Sequence, residues 1–373
     1  MSASTQERQH RTSRARTPLR WAVPVVVAAL VAGGAFASQA QAEPPLPPKT
    51  AEQLLVDLQN PTATAFSGTV RSDVDLGLPA IPGAGEGPGS LLTGSNTVRV
   101  WVDGTNAKAA ITKGSDEWAV IKGENDVWIW SSAERKATHA TVPEGEKTSK
   151  QRPGTPEYTP QQLAQKFLAA VEPDTEVSTN RTTTVAGRAA YELVLTPTSA
   201  DTKIGSVSIA VDATTNMALR TQVWAKGADA PAIDVGFTDF SDARPDASVF
   251  TFTPPPGVEV EEVTPGEHQK REGQQGEGKQ GERPEVIGSG WSQVVIAKLP
   301  SPGAGNTEPN QGGERGGEAQ QWQQMIDQLP TVSGSWGGGK LLEGSLFSVV
   351  LTNDGRVAAG AVTADHLVSV IPG

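Results

Sequence analysis

Apolar and polar residues alternate through most of the chain between residues 98 and 240, with the period of two expected of half-buried strands. Val98, Val100 and Val102 fall on one side of such a strand and Arg99 and Trp101 on the other; Asp103-Gly104 then marks a turn into a run over 107–111. Runs over 117–121 and 127–130 form the next pair, joined by Lys122-Gly123-Glu124-Asn125-Asp126. Further runs cover 189–195, 206–211, 218–225 and 233–240, with Asp212-Ala213-Thr214-Thr215-Asn216 turning one into the next. Connections this short predict antiparallel pairing, because parallel strands need long crossovers.

Two segments carry a helical stripe instead. Thr50-Ala51-Glu52-Gln53 reads as a capping box, followed by Leu54, Leu55 and Leu58 on one face and stopped at Asn60-Pro61. Thr159-Pro160-Gln161-Gln162 supplies a cap, a first-turn proline and a box-closing glutamine ahead of Leu163, Phe167, Leu168 and Val171, until Pro173. The expected class is α+β: a large curved antiparallel sheet, an open half-barrel, with helices on its concave face.

The patterning fails over 264–286, a Gly, Gln and charge-rich stretch that reads as a disordered linker. Apolar residues return over 287–299, lapse over 301–320 and resume to the C-terminus. Neither piece could bury a core alone, so 287–373 is expected to be one small α/β module with a disordered insertion at 301–320. Both gaps should be protease-sensitive. The large domain then spans 43–263.

The first 42 residues read as an export signal. Arg8, Arg11, Arg14, Arg16 and Arg20 precede an apolar run over 21–36, and Ala40 and Ala42 form an A-x-A cleavage site before Glu43. No arginine pair opens the segment, which points to the general secretory route. An uncleaved signal would act as a membrane anchor. Either way the protein is expected outside the cytoplasm, secreted or associated with the cell envelope. The 373 residues contain no cysteine, which excludes disulfides, thiol catalysis and lipid attachment through an N-terminal cysteine. Cleavage after Ala42 removes five Arg and one Glu, leaving 26 basic against 41 acidic residues, a net of −15. Such a surface repels phosphate backbones, so no nucleic acid is expected as a partner.

Motifs of catalysis fail on inspection. Gly334-Ser335-Trp336-Gly337-Gly338-Gly339-Lys340 has P-loop spacing, but Leu341 stands where a Ser or Thr must hold magnesium, and the run reads as a glycine-rich turn. His139, His268 and His366 are scattered, Gly-x-Ser-x-Gly does not occur, and Asp116-Glu117 and Glu261-Glu262 read as solvated charges. No enzyme, cofactor or metal is expected. What remains is aromatic surface on strands. Trp128 and Trp130 share a parity, and burying two indoles removes more apolar area from water than burying Val127 and Ile129. They are therefore expected to line a ligand cavity with Trp224 and Phe237, joined by Trp101 and Tyr191; the alternative is an ordinary β core. Leu76, Leu78, Ile81, Leu91 and Leu92 lie in a Gly/Pro-rich stretch, either folded over the core or forming a lid at a cavity mouth.

Four stretches in order resemble the lipoprotein-carrier (LolA-like) superfamily and its MucB/RseB-type regulators. They are Asn125-Asp126-Val127-Trp128-Ile129-Trp130; Tyr191-Glu192-Leu193-Val194-Leu195-Thr196-Pro197; residues 207–220; and Phe237-Thr238-Asp239-Phe240 with the closing Asp246-Ala247-Ser248-Val249-Phe250-Thr251-Phe252-Thr253-Pro254-Pro255-Pro256-Gly257-Val258. The C-terminal module resembles one found in Gram-positive members. The resemblance implies a cavity between sheet and helices that sequesters a hydrophobic ligand, a lipid or the acyl chain of a lipid-modified protein. An arginine gates the cavity in some members; Arg71 and Arg99 both remain open for that role. A second reading is an envelope-stress or signalling regulator that binds a membrane protein such as an anti-sigma factor; a third is a structural adhesion module.

Overall fold

A computed structural model describes residues 46–78, 94–141, 159–169, 175–263, 284–298 and 324–373. The expected signal with Ala40 and Ala42, most of the expected linker and the insertion at 301–320 lie outside the described residues.

Helix α1 (Ala51–Gln59) leads into a meander of β1 (Ala65–Val74), β2 (Gly94–Asp103), β3 (Asn106–Lys113), β4 (Asp116–Lys122), β5 (Asp126–Ser131) and β6 (Lys136–Thr141). Helix α2 (Pro160–Ala169) follows, then β7 (Thr175–Thr179), β8 (Thr183–Val185) and β9 (Arg188–Pro197). The large domain closes with β10 (Ile204–Asp212), β11 (Ala218–Ala225), β12 (Pro231–Ser241) and β13 (Glu259–Val263). These strands form one open, curved sheet in the order β13-β6-β5-β4-β3-β2-β1-β12-β11-β10-β9-β7, with β8 pairing on β9. The hairpins turn where left-handed glycines allow it, as at Gly104 (φ 60°) and Gly114 (φ 61°).

Pairing is antiparallel except at one edge. Strand β13 runs parallel to β6, from Glu259 opposite Lys136 to Val263 opposite Ala140. The expectation of an antiparallel sheet throughout fails here because β13 arrives after a long excursion from β12 over residues 242–258. That connection gives the chain room to reverse.

Both helices begin as their sequences predict. Thr50 Oγ1 accepts from Gln53 N (3.3 Å) and Gln53 Oε1 accepts from Thr50 N (2.9 Å). Thr159 Oγ1 accepts from Gln162 N at 3.2 Å, and Gln162 Oε1 accepts from Thr159 N at 3.2 Å. Leu54 and Leu58 bury the inner stripe of α1. Gln161 is buried: its Nε2 donates to Leu58 O (3.0 Å) and its Oε1 accepts from Ala218 N (2.6 Å), so one side chain ties α1, α2 and β11 together. Phe66, Val70, Val98, Val100, Val235 and Phe237 form a core, with Leu163 of α2 packed against it. A Cβ at Gly68 would collide first with the Asp239 carbonyl and then lie 2.8 Å from the Phe237 ring, so glycine is what lets both the β12 backbone and that ring approach β1.

The C-terminal module is a second sheet, ordered β14 (Glu285–Ile287), β15 (Val294–Lys298), β19 (Arg356–Gly360), β18 (Ser348–Thr352), β17 (Gly337–Glu343) and β16 (Thr331–Gly334). Helix α3 (Ala364–Val370) packs on it over Val294, Ile296, Trp336, Leu341 and Val350. β14 starts inside the stretch read as linker, because Glu285, Val286 and Ile287 pair with β15. The Gly334–Gly337 run is the β16–β17 hairpin turn, with Gly337 at φ 107° and Lys340 donating to the Asp327 and Leu329 carbonyls. The two sheets meet through main chain and side chains; Lys203 pairs with Glu343 at 3.0 Å and Thr202 Oγ1 donates to Ala361 O at 2.8 Å. Lys203 N donates to Ala361 O (2.9 Å), Thr363 N to Asp201 O (2.7 Å) and Ser345 N to Leu76 O (2.8 Å). Trp291 Nε1 adds a bond to Thr175 Oγ1 at 2.8 Å.

Candidate functional site

Residues directly opposite one another in a ladder share a face, so the register sorts every side chain of the large sheet. Thr221 Oγ1 donates to Pro160 O of α2, and Thr221 faces Val235, which faces Ser72 of β1. Strand β1 carries that face to Phe66, Gly68 and Val70, and the pairing continues it outward. Gly68, Val100, Ala109, Val120, Ile129 and Thr138 form one row. Ile111 and Trp118 lie opposite each other in the next row, and Val127 lies opposite Ala140.

This helix-bearing face is dry near β1 and open near β5. Val98 and Val100 are 2% and 5% exposed, whereas Ile129, three strands along the same row, is 41% exposed. Trp118, Val120 and Val127 beside it are half-buried. Ser131, Lys122 and Lys136 edge the stretch; Lys122 donates to Thr105 O and Lys136 pairs with Glu261 at 2.7 Å. The result is an apolar strip about four strands wide, with its polar groups at the rim. Such a strip can hold a flexible apolar chain.

The expected cavity residues divide between two faces. Phe237 and Tyr191 lie on the helix-bearing side, both buried: Phe237 in an aromatic cluster with Phe66 and Phe240, Tyr191 beneath Lys49. Trp101, Trp128 and Trp130 lie on the opposite face, around Ala110, Ala119 and Ile121. Trp224 faces Ser206 and is also on that side. The expectation that the indoles share a cavity with Phe237 therefore does not hold. The physical reason is Phe252: it lies 5.3 Å from the Trp128 ring and 5.7 Å from that of Trp130 and covers them from outside, so their area leaves water without turning inward. Trp101 is held between Arg99 and Lys108, at 4.9 and 5.5 Å.

Neither candidate arginine faces the strip. Arg99 shares the outer face with Trp101, and Arg71 donates to Asp73 at 2.8 Å, where Asp234 and Arg220 also lie. Leu76 and Leu78 are half-buried beyond the end of β1, and the Leu76 carbonyl is committed to Ser345. Ile81, Leu91 and Leu92 lie outside the described residues. Sequence reasoning missed Trp118, Val120 and Ile129 as a set; their common parity across the β4–β5 hairpin was the available signal.

Two charged clusters fix this geometry. Asp212, at the β10–β11 turn, accepts from Arg188 Nε and Nη2 (both 2.8 Å) and from Thr215 N and Oγ1 (2.8 and 2.6 Å). Burial pushes its carboxyl up, but Arg188 and Thr215 outweigh burial and hold it below the ordinary carboxylate range. His139 of β6 lies between Asp126 and Glu262 and stacks on Trp128 at 4.1 Å. No group of His, Cys, Asp and Glu among the described residues could hold a metal ion, and no described helix is long and apolar enough to cross a membrane.

No family model and no curated protein matches the chain. Solved structures do. The MucA/MucB complex of Pseudomonas aeruginosa matches at 15% identity over 86% of this chain and 96% of that one, with a TM-score of 0.40. A LolA superfamily protein of Nitrosomonas europaea matches at 13% identity over 55% and 99%, with a TM-score of 0.24. The Mycobacterium tuberculosis lipoprotein LppX matches at 10% identity over 50% and 91%, with a TM-score of 0.26. The architecture is similar to that of LolA-superfamily proteins and MucB.

Proposed function

We propose that the chain is an exported, non-enzymatic binding protein whose helix-bearing strip on β3–β6 takes up an acyl chain, from a lipid or a lipid-modified protein. The observation that carries this reading is the gradient along one sheet row, from buried Val100 to Ile129 at 41% exposure. An apolar row left partly in water gains free energy from any apolar chain that covers it, about 0.8 kcal/mol per buried methylene. A strip rather than a deep polar pocket suits a ligand recognised by length and greasiness. Sequestration, with no bond made or broken, is then the mechanism.

Native mass spectrometry of the protein purified from its own host tests this. A co-purified species of lipid mass, displaced by a fluorescent fatty-acyl probe, is the expected result. No lipid and no probe binding, together with a membrane protein captured by crosslinking, would overturn it in favour of an envelope regulator of the MucB/RseB type.

A further inference from the structure

His139 has a carboxylate at each ring nitrogen. Nδ1 lies 2.7 Å from Glu262 Oε2 on β13, and Nε2 lies 2.9 Å from Asp126 Oδ1 on β5. A neutral imidazole carries one N–H, and an ionised carboxylate only accepts. Both contacts are hydrogen bonds at the same time only when the ring is doubly protonated. The Trp128 indole, stacked 16° from parallel, fixes the plane of the ring so that its two nitrogens point at those two strands.

The strand tied by Glu262 is the weakly held one. β13 has five residues, Glu259 to Glu262 are all exposed, and it forms the one parallel ladder among the described strands of the sheet. It also ends the segment that carries Phe252 over Trp128 and Trp130. We infer that His139 is a protonation-operated latch: as an imidazolium it ties β13 to the β5–β6 hairpin, and on losing its proton it releases one of the two ties.

The groups facing His139 permit this. The titratable groups that face it are Asp126 from β5 and Glu262 from β13, and the rings packed against it, Trp128 and Phe252, carry no titratable group in the neutral range. On the other face of the same strands Lys136 pairs with Glu261, with Glu259 and Glu134 nearby; that lysine is held above its ordinary value and keeps its charge. Burial opposes the charge on His139, but Asp126 and Glu262 outweigh it and hold the imidazole above its ordinary value of 6.5. A group raised in this way contributes its full stabilisation below the unfolded value and loses it as pH rises through the folded value. The tie therefore tightens in acid and loosens toward alkaline pH.

The test is an NMR titration of the His139 imidazole in the full chain, with amide exchange of residues 259–263 corrected for the intrinsic effect of pH. The imidazole should titrate above 6.5, with both nitrogens protonated below that point. Protection of 259–263 should fall roughly fivefold across the titration, a charge-assisted bond discounted for exposed carboxylates, while the β1–β2 amides stay unchanged. His139→Gln should leave β13 poorly protected at every pH, and Glu262→Gln should lower the His139 titration point. Titration at or below 6.5, or β13 protection equal on both sides of it, would overturn the proposal. The wild-type titration decides the matter even if a variant fails to fold.

Discussion

Trp128 and Ile129 are chain neighbours that face opposite sides of the large sheet: the indole packs beneath Phe252, and the isoleucine stands 41% exposed on the side that carries the helices. Mutations on β5 should therefore separate the proposed acyl-chain binding from stability.

Ile129→Ser should weaken a fatty-acyl probe by roughly 1–3 kcal/mol, the worth of one large apolar contact. Trp130→Ala should leave the probe affinity unchanged and lower the unfolding free energy by about 2 kcal/mol, since a half-buried indole loses its Phe252 contact. Probe titration and urea unfolding of the same two variants decide it. The reverse pattern would move the ligand to the outer face.

Gln161→Leu keeps the side-chain volume but strands Leu58 O and Ala218 N, both inside the core. The expected loss is about 1–3 kcal/mol, the cost of leaving buried partners unsatisfied. Urea midpoints at constant slope measure it. A neutral result would mean that water replaces the amide.

Asp212→Ala leaves the Arg188 guanidinium with the exposed Asp242 as its acidic partner and strands the Thr215 donors, and should cost about 2–3 kcal/mol at neutral pH. Because the Asp212 carboxyl is lowered, its contribution is present above the ordinary carboxylate value and is lost as pH falls through the folded value. Acid unfolding followed by circular dichroism should therefore begin at higher pH in Asp212→Asn, provided both chains are compared at equal salt. Coincident acid midpoints would contradict this assignment.

Thr363 serves both the α3 cap, by accepting from His366 N, and the joint to the large sheet, by donating its own N–H to Asp201 O. Thr363→Val should lose the cap alone, about 1 kcal/mol. Thr363→Pro fits the observed φ of −63° but loses the main-chain bond too, so it should cost about 1 kcal/mol more. Equal stabilities for the two variants would show that the joint contributes nothing.

The parts of this fold that depend on near neighbours in the chain were legible in its sequence. Thr50 and Gln53, Thr159 and Gln162, and the left-handed turn at Gly104 each involve residues a few positions apart, and each forms as its spacing predicts. The orientation of β5 was not, because both of its parities are apolar. Val127 and Ile129 compete there with Trp128 and Trp130, and the residue that decides between them, Phe252, arrives from the far side of the domain. Gln161 precedes the box-closing Gln162, and nothing near it in the chain shows that it is buried until α1 and β11 close over it. His139 looks solitary until β13 brings Glu262 alongside, and nothing local to either forecasts a parallel strand there.

The bonds from Lys203 to Ala361, from Thr363 to Asp201 and from Ser345 to Leu76 use peptide groups alone. Every amino acid except proline offers the same donor and acceptor at those points. The main-chain part of the connection between the two sheets is thus indifferent to which side chains stand there, although Thr202 Oγ1 donating to Ala361 O, Lys203 pairing with Glu343 and Trp291 bonding Thr175 add ties that are not. It can outlast extensive sequence drift, and yield instead to an insertion or deletion that shifts one strand end by a residue. A comparison of related chains that weighs residue identity would overlook these three bonds, and one that weighs loop length would find them.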